Sequence, residues 1–62
     1  MVYENVLKYA KEKGMTIQGL EKACNLSNGI ISKWKGNNNP KLENLLRVAE
    51  CLDVSIEQLI KE

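Results

Sequence analysis

The sequence has no histidine, only two cysteines and no long apolar run. Without histidine, and with Cys24 on the apolar stripe of a predicted helix, no nucleophile has an evident base beside it, which argues against an enzyme. Two cysteines alone cannot complete a four-ligand zinc site. We therefore expect Cys24 and Cys51 to be packed free thiols, and we predict neither a metal nor a cofactor.

Two patterns that direct a protein to a membrane or out of the cell are also missing. A membrane-spanning helix needs about 18 or more apolar residues in a row, and the runs in this chain are far shorter. No cleavable signal pattern is found either. We therefore expect a cytoplasmic protein with no membrane partner.

The charged residues nearly balance, but they are unevenly distributed along the chain. The 62 residues carry a net charge of +1 and are expected to form one small domain, 1–62. Residues 23–42 contain Lys33, Lys35 and Lys41 and no acidic residue. Three lysines on a small domain are commonly only a solvated face, so they do not by themselves identify a nucleic-acid site.

The stretch from Thr16 to Lys35 predicts two short helices with an unusually short connection. Thr16 and Ser27 carry hydroxyls that can accept a hydrogen bond from the free amides of a first helical turn, so each predicts a helix start. Asn25 lies between the two helices and tolerates the left-handed conformation that ends a helix. The pattern therefore predicts a helix, a tight turn and a second helix.

The second of these helices, predicted over 27–35, has a distinctive outer face. Ile31 and Trp34 fall on one apolar stripe, so we expect Trp34 to be largely buried. Their helical spacing also places Asn28 and Gly29 in the first helical turn rather than in a hairpin. The outer face contains no carboxylate and comprises Ser27, Asn28, Gly29, Ile30, Ser32, Lys33 and Lys35. Such a face suits a polyanion.

Three further helices are predicted, one before this pair and two after it. Apolar residues recur at helical spacing over 2–10, and Gly14 can take the left-handed position after that helix. A stripe of leucines over 42–52 predicts the fourth helix. Ser55 and Gln58 form a capping box that begins a short fifth helix.

The residues TIQGLEKACNLSNGIISKWK resemble the helix-turn-helix of the phage repressor and Cro group, also called the XRE family. The continuation GNNNPKLENLLRVAECLDVSIEQLI is similar to the rest of that domain, and its most specific parts are ISKWK, the following Asn-Pro and LDVS. Glu21 departs from the family, which usually has Ala at this close helix crossing, and Asn25 replaces the usual Gly. The resemblance implies an all-α, five-helix repressor-like domain whose helices 2 and 3 form the helix-turn-helix.

The same resemblance implies a sequence-specific regulator of transcription, a repressor, with the recognition helix in the major groove of double-stranded DNA. The amide of Asn28 and the ammonium of Lys33 can pair with base edges, Ile30 can meet a thymine methyl, and Gly29 completes the base-contacting set. The residues implied to hold phosphates are Thr16, Gln18, Ser27, Ser32, Asn37, Asn38, Asn39 and Lys41. Relatives bind DNA as two-fold pairs, often touching through the last helix, so we expect a homodimer on a DNA operator.

An alternative function belongs to a different class. A protein-interaction module, such as an antitoxin-like domain, could keep the helix-turn-helix fold and bind a protein partner. The fold alone does not separate the two functions. The salt dependence of binding does, because affinity for DNA falls steeply with salt through the release of counterions.

Overall fold

The computed structural model describes residues 1–36 and 39–61, which form four α-helices and one short 3₁₀ helix. The elements are α1 (Val2–Glu12), α2 (Ile17–Ala23), the 3₁₀ helix (Ser32–Trp34), α3 (Leu42–Leu52) and α4 (Ile56–Ile60). These residues include no strand, so the all-α class predicted from the sequence is confirmed. The predicted number of five helices is wrong, because the third helix is reduced to the 3₁₀ turn. Within the two described ranges, no helix is both long and apolar enough to cross a membrane.

The local signals at the ends of α2 and α4 are confirmed. The hydroxyl of Thr16 accepts a hydrogen bond of 3.0 Å from the amide of Gly19 at the start of α2. Asn25 follows α2 with φ +59°, the left-handed conformation expected of it. Ser55 and Gln58 exchange side-chain-to-backbone bonds of 2.8 and 3.1 Å, which is the predicted capping box. Both helix starts form because a nearby side chain satisfies a backbone amide that the helix leaves unpaired. At the end of α2, the backbone amides of Asn25 and Leu26 donate to the carbonyls of Lys22 and Glu21.

The prediction of a helix over 27–35 is wrong, because the first half of this segment is a turn. Gly29 has φ +89°, a left-handed conformation that an α-helix does not contain and that glycine adopts without steric cost. The carboxylate of Glu21 accepts hydrogen bonds from the amides of Gly29 and Ile31. A side chain of α2 therefore holds the amides that would otherwise start a helix. We call residues 27–31 the pinned turn.

The core forms around α1, which packs against α2, α3, α4 and the 3₁₀ helix. Trp34 is 4% exposed, which confirms its predicted burial. The buried apolar side chains in the described ranges are Val6, Ala10, Leu20, Cys24, Ile31, Trp34, Leu45, Val48, Ala49, Leu52 and Leu59. Because Ile31 and Trp34 belong to this core, the end of the pinned turn and the 3₁₀ helix are anchored to the rest of the domain.

Asn5 links the beginning of the fold to its last helix. Its side-chain amide donates to the backbone carbonyl of Leu59 at 2.7 Å and also to that of Lys61. Carbonyls at the end of a helix have no partner within the helix, so a side chain from elsewhere can satisfy them. The contact ties the C-terminal end of α4 to α1.

Cys24 and Cys51 are free thiols, the first buried and the second half-buried. Burial, reinforced by the neighbouring Cys51, raises the pKa of the Cys24 thiol to about 12. Cys24 is therefore protonated at neutral pH, and a protonated thiol is a poor nucleophile and a poor metal ligand. In the part of the chain that the structure describes, no group of three or more histidine, cysteine or acidic residues is placed to hold a metal.

Candidate functional site

A buried carboxylate determines the shape of the pinned turn. Glu21 is only 2% exposed, and a glutamate is almost never so buried unless its charge has partners. Its Oε1 accepts from the amide of Gly29 at 3.0 Å and its Oε2 from the amide of Ile31 at 2.8 Å. The amide between them, of Ile30, donates to the carbonyl of Ser27 at 3.2 Å. All three consecutive amides therefore have an acceptor, and Ser27 begins a turn instead of capping a helix.

The four residues predicted to contact bases lie on the pinned turn and the 3₁₀ helix and are accessible to a partner. Asn28 and Lys33 are exposed, and Gly29 and Ile30 are half-buried. Ile31 is fully buried within the same segment. The segment thus presents one side to the core and the other to the solvent, as the sequence predicted, although its backbone is a turn instead of an α-helix.

A surface groove of about 370 Å³ lies beside this segment, and we call it the lysine groove. Its lining residues are Ile30, Lys33, Trp34, Asn39, Pro40, Lys41, Glu43 and Asn44. The groove brings together two predicted base contacts, Ile30 and Lys33, with two predicted phosphate contacts, Asn39 and Lys41. Lys35 lies elsewhere, with its Nζ 6.0 Å from the centre of the Tyr3 ring on α1.

A second groove, of about 330 Å³, lies between α2 and the beginning of the pinned turn. It is lined by Gln18, Glu21, Lys22, Leu26 and Asn28. The groove therefore joins Gln18, a predicted phosphate contact on α2, to Asn28, a predicted base contact on the turn. An amide pair of this kind offers both donors and acceptors to a polar ligand.

The other predicted phosphate contacts are more scattered. Thr16, Ser27 and Ser32 are exposed, but they line neither of the two grooves. The hydroxyl of Thr16 already accepts the cap bond at the start of α2 and still has a hydrogen to donate. Asn37 and Asn38 lie outside the described residues.

Three charged residues that line the two grooves were not among the DNA contacts predicted from the sequence. Glu21 organises the pinned turn, Lys22 adds a cation to the second groove, and Glu43 adds a carboxylate to the lysine groove. The burial of Glu21 has a signal in the sequence, because this residue lies between Leu20 and Cys24 on the apolar stripe of α2. No comparable local signal marks Lys22 or Glu43, whose positions depend on how the helices pack.

The sequence matches a known protein family and two known proteins. A family model described as helix-turn-helix matches residues 6–59. Two curated relatives are both named HTH-type transcriptional regulator SinR, one from Bacillus licheniformis and one from Bacillus subtilis (strain 168). Each is 30% identical over 64 aligned residues, which cover the whole of this chain and 58% of the relative. The chain thus spans little more than half the length of these relatives. No solved structure matches it.

Proposed function

The chain belongs to the helix-turn-helix family, of the XRE type, and from this premise we propose that it binds double-stranded DNA sequence-specifically and regulates transcription as a repressor. One observation carries the proposal. The exposed side of the pinned turn and 3₁₀ helix bears an amide and an ammonium group, and the groove beside it holds a second lysine. We propose that the protein acts in the cytoplasm and has no catalytic role.

Base recognition is assigned to the pinned turn and the 3₁₀ helix. The amide of Asn28 can pair with the acceptor and donor of an adenine edge, and the ammonium of Lys33 can donate to the acceptors of a guanine. Ile30 is half-buried and leaves part of its side chain for a thymine methyl. Gly29 has no side chain, so the backbone can approach a base edge closely there.

Phosphate contacts are assigned to the rims of the two grooves. Lys41 and Asn39 are exposed on the lysine groove, and Gln18 is exposed on the second groove. We call the pinned turn and the 3₁₀ helix together the reading segment. A cation or an amide at these groove positions can hold a phosphate and so fix the register of the reading segment on the duplex. Thr16, Ser27, Ser32 and the loop residues Asn37 and Asn38 complete the proposed set.

We propose that two copies bind a two-fold operator. One domain has one reading segment, and two-fold pairing doubles the length of DNA that is read. The last helix offers limited apolar surface for this pairing, because Leu59 is fully buried and Ile56 is half-buried. Ile60 is 48% exposed and remains available to a second copy.

Selection of bound sites from random duplex DNA tests the function. We expect a common motif to be enriched, with two related half-sites about one helical turn apart in a footprint. Affinity for the selected duplex should fall with salt, by about 0.9 log units per log unit of salt for each neutralised phosphate. An unenriched pool would contradict sequence-specific binding. An affinity that does not change with salt would contradict binding to the DNA phosphates and favour a protein partner. A single half-site, bound without concentration cooperativity, would contradict the dimer alone.

A further inference from the structure

We propose that Glu21 is a positioning residue for DNA recognition, whose buried carboxylate holds the pinned turn in the shape that selects the operator sequence. The inference rests on the proposed function and deepens it. Glu21 touches no DNA in this account. It acts through the backbone of the residues that do.

The geometry couples α2 directly to the reading segment. The two carboxylate oxygens of Glu21 accept from the amides of Gly29 and Ile31 at 3.0 and 2.8 Å, across eight and ten positions of the chain. Hydrogen bonds to an ionised acceptor are roughly twice as strong as neutral ones. Burial of the Glu21 side chain strengthens this coupling, because a hydrogen bond is electrostatically stronger in the protein interior than in water.

The amides that Glu21 holds lie among the proposed base contacts. The first belongs to Gly29, itself a proposed contact, and Asn28 precedes it. Ile30 lies between the two amides, and Lys33 follows two positions after the second. A recognition site must hold its groups to within about 0.5 Å of the productive geometry, so a turn without its pin would misplace several of these groups at once.

Two of the proposed phosphate contacts lie outside the segment that Glu21 pins, whereas Ser27 and Ser32 lie within it or next to it. Lys41 immediately precedes α3 and Gln18 lies near the start of α2, so the carboxylate of Glu21 bonds neither of their backbones. Loss of the pin should therefore weaken the preference for one sequence over another more than it weakens attraction to DNA in general. This separation distinguishes a positioning role from a purely structural one.

Glu21→Gln tests the proposal, because the amide keeps the size of the side chain but removes the charge and one of the two acceptors. Val48→Ala is the matched control, since Val48 is fully buried in α3 and lines neither groove. Affinities are measured for the selected duplex and for a scrambled duplex, at a temperature at which both variants give the circular dichroism of the folded wild type.

We expect Glu21→Gln to lower the ratio of the affinity for the selected duplex to that for the scrambled duplex by about tenfold or more. This is the size of effect that the loss of one good base contact produces. The salt slope on the scrambled duplex should stay at its wild-type value, and Val48→Ala should keep the wild-type ratio. An unchanged ratio in Glu21→Gln, or an equal loss in Val48→Ala, would overturn the proposal. If the wild type itself shows no preference between the duplexes, the proposed function fails and the inference fails with it.

A second measurement tests the hydrogen bonds between Glu21 and the pinned turn without DNA. Exchange of the Gly29 and Ile31 amides with solvent, followed by NMR, should be faster in Glu21→Gln than in Val48→Ala by about tenfold, relative to the amide of Leu45 in each variant. Equal relative exchange would overturn the pin while leaving DNA binding by the wild type intact. Glu21→Asp, which keeps the charge on a side chain one methylene shorter, provides the second variant. If both Glu21 variants are unfolded at 10 °C while Val48→Ala is folded, the residue serves stability and the positioning role is refuted.

Discussion

Gly29→Ala should lower the free energy of unfolding if residues 27–31 form the pinned turn, and should raise it if they form a helix. At φ +89° a residue with a Cβ pays about 1–2 kcal/mol for the left-handed conformation. The added Cβ meets no atom within 4 Å, so no steric clash adds to this cost. Alanine also loses less conformational freedom on folding than glycine, which returns about 0.4–1 kcal/mol. The net expectation is a loss of about 1 kcal/mol in the free energy of unfolding, or roughly 4–8 °C in melting temperature.

A helix over 27–35 would reverse the sign, because replacing glycine by alanine in a helix interior stabilises it by about 0.5–1 kcal/mol. Gly29→Asn is the matched control. Asparagine enters the left-handed region more readily than alanine but is the poorer helix former. Thermal unfolding followed by circular dichroism should therefore rank wild type above Gly29→Asn and Gly29→Asn above Gly29→Ala. A Gly29→Ala protein that melts above the wild type would refute the pinned turn.

Three other predictions concern stability and thiol reactivity. Trp34→Ala should lower the free energy of unfolding, measured by urea denaturation, by about 3–5 kcal/mol. That loss is a large share of the total, which is about 3–9 kcal/mol for a domain of this length, and an unchanged midpoint would contradict the burial of Trp34. Asn5→Ala should cost about 1–3 kcal/mol in the same assay, since two hydrogen bonds to α4 are lost, whereas Lys8→Ala on an exposed position of α1 should change little. Iodoacetamide at pH 8 should alkylate Cys51 well before Cys24. Burial raises the pKa of the Cys24 thiol to about 12, so this thiol stays protonated at pH 8. Mass spectrometry that finds Cys24 modified first would contradict this order.

The parts of the fold that the sequence predicted correctly are those that depend on neighbours a few residues apart. The cap bond of Thr16 and the capping box of Ser55 and Gln58 follow from side chains that bond nearby backbone groups. The left-handed Asn25 follows from the tolerance of asparagine for that conformation. The burial of Trp34 followed from helical spacing, which survives even though the helix around it is short.

The pinned turn could not be derived in the same way. Ser27 and the spacing of Ile31 and Trp34 favour a helix, and these local preferences were overruled by a carboxylate on the preceding helix. Glu21 seemed a departure from the family at a close helix crossing, whereas in the structure it is satisfied by two amides. A contact between residues eight and ten positions apart depends on the angle between two elements, which single-residue patterns do not contain.

The candidate site was predictable in composition but not in arrangement. The exposed positions of Asn28 and Lys33 agree with the outer face predicted from the sequence. The lysine groove, which joins Lys33 to Lys41 and adds Glu43, arises from packing of the 3₁₀ helix near the start of α3. Sequence spacing gave no reason to bring these three residues together.

One titration series tests whether the pinned turn reads bases while a residue of the lysine groove holds a phosphate. Affinity is measured for wild type, Asn28→Ala and Lys41→Ala on the selected duplex and on its single-mismatch variants at several salt concentrations. Asn28→Ala should lose about 1–3 kcal/mol on the selected duplex and relax the preference at one base pair. Lys41→Ala should weaken all duplexes alike and lower the slope of log affinity against log salt by about one unit. If Asn28→Ala keeps both affinity and preference, the pinned turn does not read the DNA.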